Sequence, residues 1–301
     1  MDKLLLADIR RALPALELRE AEPMAAHCSF RIGGPAAAMA LPGSVEELAA
    51  LGALLREKGV KPFVMGNGTN LLVTDGPFDR FVIQCGAGLG AIHIDNDIVT
   101  AEAGATLAQT AAAALSAELA GLEFAAGIPG SVGGGVSMNA GAYGGELRDV
   151  VVETEYLDAD MRLCRAEGEA QGFAYRRSAF SDSECILLRS RMRLQRGERE
   201  AIAARMRELA AKRRASQPLD MPSAGSTFKR PVGGYAAALI DEAGLKGCRI
   251  GGAMVSEKHA GFVVNAGGAS FDDVLALMEY IQETVYARTG IRLEPEVKIV
   301  R

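Results

Sequence analysis

Apolar and polar positions alternate along the chain at two periods, and the switches between them mark the elements. Val45, Leu48, Leu51 and Leu55 recur at helical spacing behind Ser44, with Glu47 three residues on, so a capped helix is predicted that stops at Gly59. A strand is predicted at about 60–65, after which GNGTNLLVTD (66–75) reads as a glycine-rich turn running straight into a second strand. Extended runs at 80–85 and 99–103 precede an alanine-rich helix at about 107–119, closed before Gly121. The next stretch, GIPGSVGGGVSMNAGAYGGE (127–146), is too rich in glycine to be expected as regular structure. VVVETEYLD (150–158) resumes a β pattern, turns at 158–160 and continues in a short run at 162–164. CILLRSRMRL (185–194) alternates apolar residues with Arg, which predicts a sheet with one wet, positive face.

After Gly197 a helix is predicted with Ile202, Met206 and Leu209 on its apolar stripe. Its last turn carries Lys212, Arg213 and Arg214, well placed against the helix dipole, and Pro218 ends it. The remainder holds the turn PSAGSTFKRP (222–231), a short helix at 235–243, an extended run at 261–264, a helix capped by Ser270 that reaches about 288, and the strand-like LEPEVKIV (293–300). Strands and helices mix without strict β-α-β alternation, so the fold class is α+β. The length of 301 residues implies two or three compact units at roughly 100 to 200 residues each. The main boundary is placed at about 197, behind an N-terminal helical lead at 1–29 and a first domain at 30–196 with subdomains at about 30–85 and 86–196.

An apolar fraction of 49% excludes disorder, while 5% aromatics, no Trp and a net charge of −5 exclude a nucleic-acid partner. Any bound anion is therefore small and locally held. Cys28, Cys85, Cys164, Cys185 and Cys248 contain no C-x-x-C pair, which fits free thiols in a reducing cytoplasm and no metal site. His27, His93 and His259 are too scattered for a metal triad, and a serine hydrolase lacks its G-x-S-x-G elbow. The run Leu4 to Leu6 is too short for a signal peptide, and no stretch approaches the roughly 18 apolar residues of a membrane span. A soluble, cytoplasmic protein is expected.

Two glycine-rich segments carry the strongest candidate chemistry. In Gly66, Asn67, Gly68, Thr69, Asn70 and Leu71, glycines let consecutive N–H groups converge on an anion, although a plain hairpin-like turn has the same composition. The segment opens no helix and lacks a P-loop Lys, so it is not a dinucleotide fingerprint. The stretch 127–146 gives up much backbone entropy on folding, for which a bound ligand compensates, and it embeds Ile128, Pro129, Val132, Val136 and Met138 at packing positions. Two such loops suit a long cofactor with two phosphates. FAYRRSAFS (173–181) offers Arg176 as a planar cation, with Arg177 its equal on spacing, and PSAGSTFKRP offers Ser226, whose ordinary role is to close a turn. Glu294 and Glu296 share one face of the expected terminal strand, where a buried carboxyl would suit acid work.

Together the motifs resemble the UDP-N-acetylenolpyruvoylglucosamine reductase family, also called UDP-N-acetylmuramate dehydrogenase. The resemblance is carried by SFRIGGPA (29–36), GNGTNLLVTD, GIPGSVGGGVSMNAGAYGGE, YRRS (175–178), PSAGSTFKRP, LIDEAGLKGCRIGGAMVSEKHAGFVVN (239–265) and LEPEV, in the family's order. It implies an FAD-binding fold of the vanillyl-alcohol oxidase type, built from two subdomains, with a smaller α+β substrate-binding domain after it. It further implies that NADPH reduces non-covalently bound FAD, and that hydride then passes from flavin N5 to C3 of the enolpyruvyl group of a UDP-sugar in peptidoglycan precursor synthesis. Ser226 is implied as proton donor to C2, with Arg176 and Glu296 polarising the substrate carboxylate.

For FAD, the resemblance implies residues 66–71 together with Gly127, Ile128, Pro129, Gly130, Ser131, Gly133 and Gly134. Asn139, Gly141 and Ala142 join them, and Arg213 or Arg214 reaches a phosphate. Lys229 and Arg230 are implied for the substrate diphosphate, while Gln217 or Tyr235 stands in for the clamping Tyr of a loop that the shorter subgroup lacks. His27 and Cys28 depart from the family's usual Asn-Thr. The competing readings are another FAD-dependent oxidoreductase of the same fold and a non-catalytic nucleotide-sugar binding protein.

Overall fold

The computed structural model describes residues 3–301, which divide into two compact units. The first comprises residues to 21, 37–67 and 79–212; the second comprises 22–36, 68–78 and 213–301. Two short segments from the N-terminal half thus cluster with the C-terminal part. Among the described residues no helix is long and apolar enough to cross a membrane, and no three His, Cys, Asp or Glu side chains group as a metal ion requires.

The first unit contains two larger sheets and two small two-stranded ones. One has the strand order Glu17–Pro23, Pro35–Leu41, Phe78–Gln84, Phe63–Met65, the last two pairing in parallel. Helix α1 (Lys3–Ala12) and helix α2 (Val45–Glu57) supply Leu5, Leu6, Ile9, Leu48, Leu51 and Leu55 to its core, packed with Ala38, Phe81 and Ile83. The capping of α2 is half of what its sequence predicts. Ser44 accepts the Glu47 N–H at 3.2 Å, but the Glu47 carboxylate takes the N–H of Gly43, at 2.7 Å, rather than that of Ser44.

The second sheet is antiparallel, in the order Leu163–Glu167, Val151–Leu157, Ile186–Arg193, Ile98–Glu102, Ile92–Asp95. Helix α3 (Leu107–Ser116) and helix α4 (Val132–Ser137) bury Leu107, Ala111, Ala114, Val132 and Val136 with Val99, Ala101 and Met192. The arginine face of this sheet is not the simply positive surface expected. Glu153 lies opposite Arg191, and Glu155 lies opposite both Arg165 and Arg189, with ion pairs of 3.4, 2.7 and 2.7 Å. The arginines therefore neutralise two carboxylates that are only 7% and 8% exposed.

Residues 127–146 contain regular structure, against expectation. Ser131 accepts the N–H of Gly134 at 3.3 Å and starts α4, after which Gly141–Ala142 and Gly145–Glu146 pair as a small antiparallel hairpin. Glycines persist in α4 because the packing leaves no room: a Cβ on Gly133 would lie 2.9 Å from the Ala103 Cβ, and one on Gly135 would lie 2.9 Å from Leu147. Tertiary contact here overrides helix propensity. Helix α3 is shorter than predicted, and Leu119–Ala120 instead pairs with Gln195–Arg196.

The last helix touching the first unit is α5 (Arg199–Ser216), with Ile202 and Leu209 buried. The second unit holds helix α6 (Ala236–Glu242), helix α7 (Phe271–Thr289) and an antiparallel sheet of Arg249–Ile250, Ala253–Val255 and Val263–Asn265. Val274, Leu277, Met278, Ile281 and Val285 of α7 pack on Ile240, Val255, Val263, Phe30 and Leu72. Ser270 and Asp273 form a full capping box, and Gly290 ends the helix at φ 71°. The terminal strand is only Lys298–Val300, parallel to Leu71–Val73, so Glu294 and Glu296 precede it instead of lying on it. Pro295 has no N–H to continue a ladder, and it makes a single bridge with Phe228.

Cys28 and Cys85 are each 5% exposed, and burial pushes both thiols up to about 12 from the ordinary 9.0. Between those values the unfolded chain has lost both protons while the folded chain keeps them, so stability falls as pH rises. Urea unfolding midpoints should therefore decline from about pH 8 to about pH 10.5, and the decline should be shallower in a Cys28→Ala/Cys85→Ala variant. Parallel slopes for the two proteins would contradict the assignment to these thiols.

Candidate active site

In the first unit the two glycine-rich turns adjoin. A Cβ on Gly66 would lie 2.2 Å from Ser131 Oγ, a contact that only glycine permits. The amide hydrogens of Gly66 and Asn67, and those of Gly130 and Ser131, find no acceptor among the described residues. Gly130 sits at φ +138°, a conformation that L side chains rarely adopt. Four amides without acceptors, two from each of the adjoining turns, are a donor set suited to the oxygens of a diphosphate. The donor set fits a dinucleotide such as FAD, because neutral amides hold a diphosphate without a counter-charge in an acidic protein. Gly127, Pro129 and Gly134 are exposed, and Ile128 and Gly133 are half-buried.

The remaining candidates of this unit are tied together. Gly141 and Ala142 form one arm of the hairpin, and the carbonyl of Gly141 accepts from the Arg176 guanidinium at 3.2 Å. Arg176 is half-buried, stands at φ 53° and stacks 5.2 Å from the Tyr175 ring centroid. Arg177 is exposed, so the structure separates two arginines that spacing alone left equal. Asn139 is fully buried, and its carboxamide bonds to Glu146, to the carbonyl of Ala174 and to the amide of Arg148. Glu146, which the sequence did not single out, also pairs with Arg148. An acidic residue closing a glycine-rich run is the signal that was available.

In the second unit, Ser226 and Glu296 meet around Thr227. Thr227 donates its N–H to Gly261 O at 2.9 Å, accepts the Val263 N–H on its hydroxyl at 2.9 Å, and accepts the Glu296 N–H on its carbonyl at 2.8 Å. Thr227 is 4% exposed, so one buried residue registers the segments carrying the serine and the glutamate. Sequence reasoning missed it because a Thr beside a candidate Ser carries no separate signal. Ser226 is half-buried after Gly225 at φ +77°, and its hydroxyl bonds to no group among the described residues.

Asn70 donates its side-chain amide to the Glu296 carbonyl at 3.0 Å, and its own carbonyl accepts the Lys298 N–H at 2.9 Å. It thereby ties the turn Gly68–Thr69–Asn70 and Leu71 to the glutamate segment. Lys229 bonds its N–H to Glu294 O at 2.8 Å and holds its ammonium 3.4 Å from the Glu294 carboxylate. The Arg230 guanidinium stacks 4.0 Å from the exposed ring of Tyr235. Arg213 is half-buried and Arg214 exposed, and the Arg214 carbonyl accepts from Lys258 at 2.6 Å. Gln217 has a buried side-chain oxygen that accepts no hydrogen bond from the described residues, an arrangement that suits a ligand N–H or O–H.

Residues 36–167 match the family model of an FAD binding domain, and residues 217–300 match that of the UDP-N-acetylenolpyruvoylglucosamine reductase C-terminal domain. The UDP-N-acetylenolpyruvoylglucosamine reductase of Caldanaerobacter subterraneus subsp. tengcongensis is 48% identical over 300 residues, covering 100% of this chain and 99% of that protein. The chain belongs to the UDP-N-acetylenolpyruvoylglucosamine reductase family. Another reductase of that name, from Syntrophomonas wolfei, is 46% identical over 96% of each chain. The crystal structure of the reductase from Thermus caldophilus superposes with a TM-score of 0.80 at 35% identity, covering 95% of this chain and 99% of that one. Alkyldihydroxyacetonephosphate synthase shares the fold alone, with a TM-score of 0.51 at 15% identity over 65% of this chain and 41% of its own. The α+β class and the FAD-binding fold of the vanillyl-alcohol oxidase type therefore stand for this reductase-family chain.

Gly66→Ala should displace Ser131 Oγ from Gly134 and crowd the diphosphate wall. Titration of the apoprotein should show FAD binding weakened about tenfold or more, a cost of about 1.4 kcal/mol. Adding Ser131→Gly should recover part of that loss, because it removes the atom that a Cβ meets. Unchanged FAD affinity in Gly66→Ala would place the diphosphate elsewhere.

Proposed function

We propose that this chain uses NADPH and FAD to reduce the enolpyruvyl group of UDP-N-acetylglucosamine enolpyruvate, yielding UDP-N-acetylmuramate for peptidoglycan precursors. The observation that carries this reading is family membership along the full length of the chain, joined to the diphosphate-ready wall in the first unit. Flavin binding falls to residues 30–196 and substrate binding to 197–301, in a soluble cytoplasmic enzyme with no nucleic-acid or membrane partner. A monomer suffices for the chemistry described below.

FAD, when bound, supplies a two-electron relay that takes hydride from NADPH and passes it to C3 of the enolpyruvyl group. Electron density then builds at C2, beside the substrate carboxylate, and the chain's own residues manage it. Arg176, as a cation, and Glu296, as a hydrogen-bonding acid, polarise that carboxylate, and stabilisation of this kind is worth several kcal/mol where water is excluded. Ser226 gives its hydroxyl proton to C2, completing the addition of one hydride and one proton across the double bond. A neutral serine is a weak acid in water, so it must touch a strongly basic carbon. Its half-buried hydroxyl, fixed through Thr227 and engaged by no group among the described residues, is held for such a contact.

The diphosphate of FAD lies on the amides of 66–67 and 130–131, with the rest of 66–71, 127–134, Gly141 and Ala142 lining it and Arg213 or Arg214 reaching a phosphate. Lys229 and Arg230 take the substrate diphosphate. Gln217, with its unmatched acceptor, and Tyr235, backed by Arg230, hold the UDP-sugar.

Ser226→Ala should still allow NADPH to reduce the bound flavin at the wild-type rate. Substrate reduction should fall by about 10²- to 10⁴-fold, as for loss of a proton-transfer group. Anaerobic stopped-flow of the two half-reactions checks this, and equal losses in both would contradict the proton-donor role.

A further inference from the structure

We infer that Asn139 is a positioning residue for Arg176, locking the turn that presents the guanidinium instead of binding the flavin. The inference rests on the role given above to Arg176. Asn139 follows the end of α4, is 0% exposed and stands at φ 46°, in the left-handed region that Asn enters more readily than other side chains. Its carboxamide nitrogen donates to the Glu146 carboxylate at 3.0 Å and to Ala174 O at 3.0 Å, while its oxygen accepts the Arg148 N–H at 3.0 Å. A carboxamide has two donor hydrogens, and both are committed within the protein.

These bonds reach Arg176 from two sides. Ala174 and Arg177 close a four-residue turn, with Arg177 N–H to Ala174 O at 3.2 Å and Ala174 N–H to Arg177 O at 2.8 Å. Arg176 occupies its third position at φ 53°, where glycine would fit without strain. A strained arginine persists only where its surroundings over-determine the backbone, and the Asn139 bond to Ala174 O holds the root of that turn. On the other side, the Gly141 carbonyl that receives the guanidinium is paired in register with Glu146, the residue that Asn139 also binds. One buried amide therefore fixes both the turn and the hairpin beneath it.

The test uses the holoenzyme with Asn139→Gly, which keeps the left-handed backbone and removes only the carboxamide. With FAD supplied at saturation, because the hairpin also carries Gly141 and Ala142, flavin reduction by NADPH should stay at the wild-type rate, while reduction of the enolpyruvyl substrate falls by about 10- to 100-fold, the cost of a misplaced group. In an Arg176→Ala background the same change should cost almost nothing further, because its effect runs through the guanidinium. Trypsin should cut after Arg176 or Arg177 about tenfold faster in Asn139→Gly, under conditions in which both proteins are folded by circular dichroism. An equal loss in flavin reduction by NADPH, fully multiplicative effects in the double variant, or unchanged trypsin cleavage would each overturn the inference. If Arg176→Ala alone reduces substrate as fast as wild type, the catalytic reading of Arg176 fails, and the trypsin result still decides the positioning claim. Should Asn139→Gly not fold, Asn139→Asp, which keeps the size and removes both donors, carries the same readouts.

Discussion

The first unit depends on backbone approaching backbone more closely than any side chain allows. Gly133 donates its N–H to Ala103 O at 2.9 Å, and a Cβ on Gly104 would lie 2.0 Å from Gly86 O. The same constraint brings Gly66 against Ser131. Beside that contact the amide N–H groups of 66–67 and 130–131 have no acceptors among the described residues, a donor set that suits phosphate oxygens in a chain with a formal charge of −5.

The second unit is held instead by one buried threonine beside Ser226. Thr227 joins the 261–263 segment to the 296–297 segment through one hydroxyl, one N–H and one carbonyl. Its neighbours inherit that rigidity, so Ser226 needs no bond of its own to be positioned. Asn70 adds a second tie to Glu296, and Asp75 caps α7 by accepting the Phe271 N–H. Buried Thr227 and half-buried Asn70 thus tie together the segments that carry Ser226 and Glu296.

Much of this was legible along the chain, and the gaps have physical causes. Helix α2 follows from its 3.6-residue period and its stop at Gly59, and α7 from Ser270 and its stripe, because both bury one face of a continuous pattern. Helix α4 was hidden because glycine propensity argues against a helix, whereas the Ser131 cap and the closeness of Ala103 and Leu147 decide it. The arginine face was misread because Glu153 and Glu155 come from a neighbouring strand, and cross-strand register is invisible to a single-strand pattern. Pro295 broke the strand expected under Glu294 and Glu296. For the proposed site, resemblance singles out Ser226, Arg176 and Glu296, whereas Thr227 and Glu146 emerge only once their partners are in place.

In the function proposed above, a glycine-lined amide wall holds a flavin that this chain turns upon an enolpyruvyl sugar nucleotide. Sequential anaerobic mixing of the wild-type holoenzyme tests it most directly. NADPH should bleach the visible flavin absorbance, and UDP-N-acetylglucosamine enolpyruvate added next should restore it while UDP-N-acetylmuramate forms in equal amount. A reduced flavin that this substrate leaves bleached, though oxygen restores it, would contradict the claim.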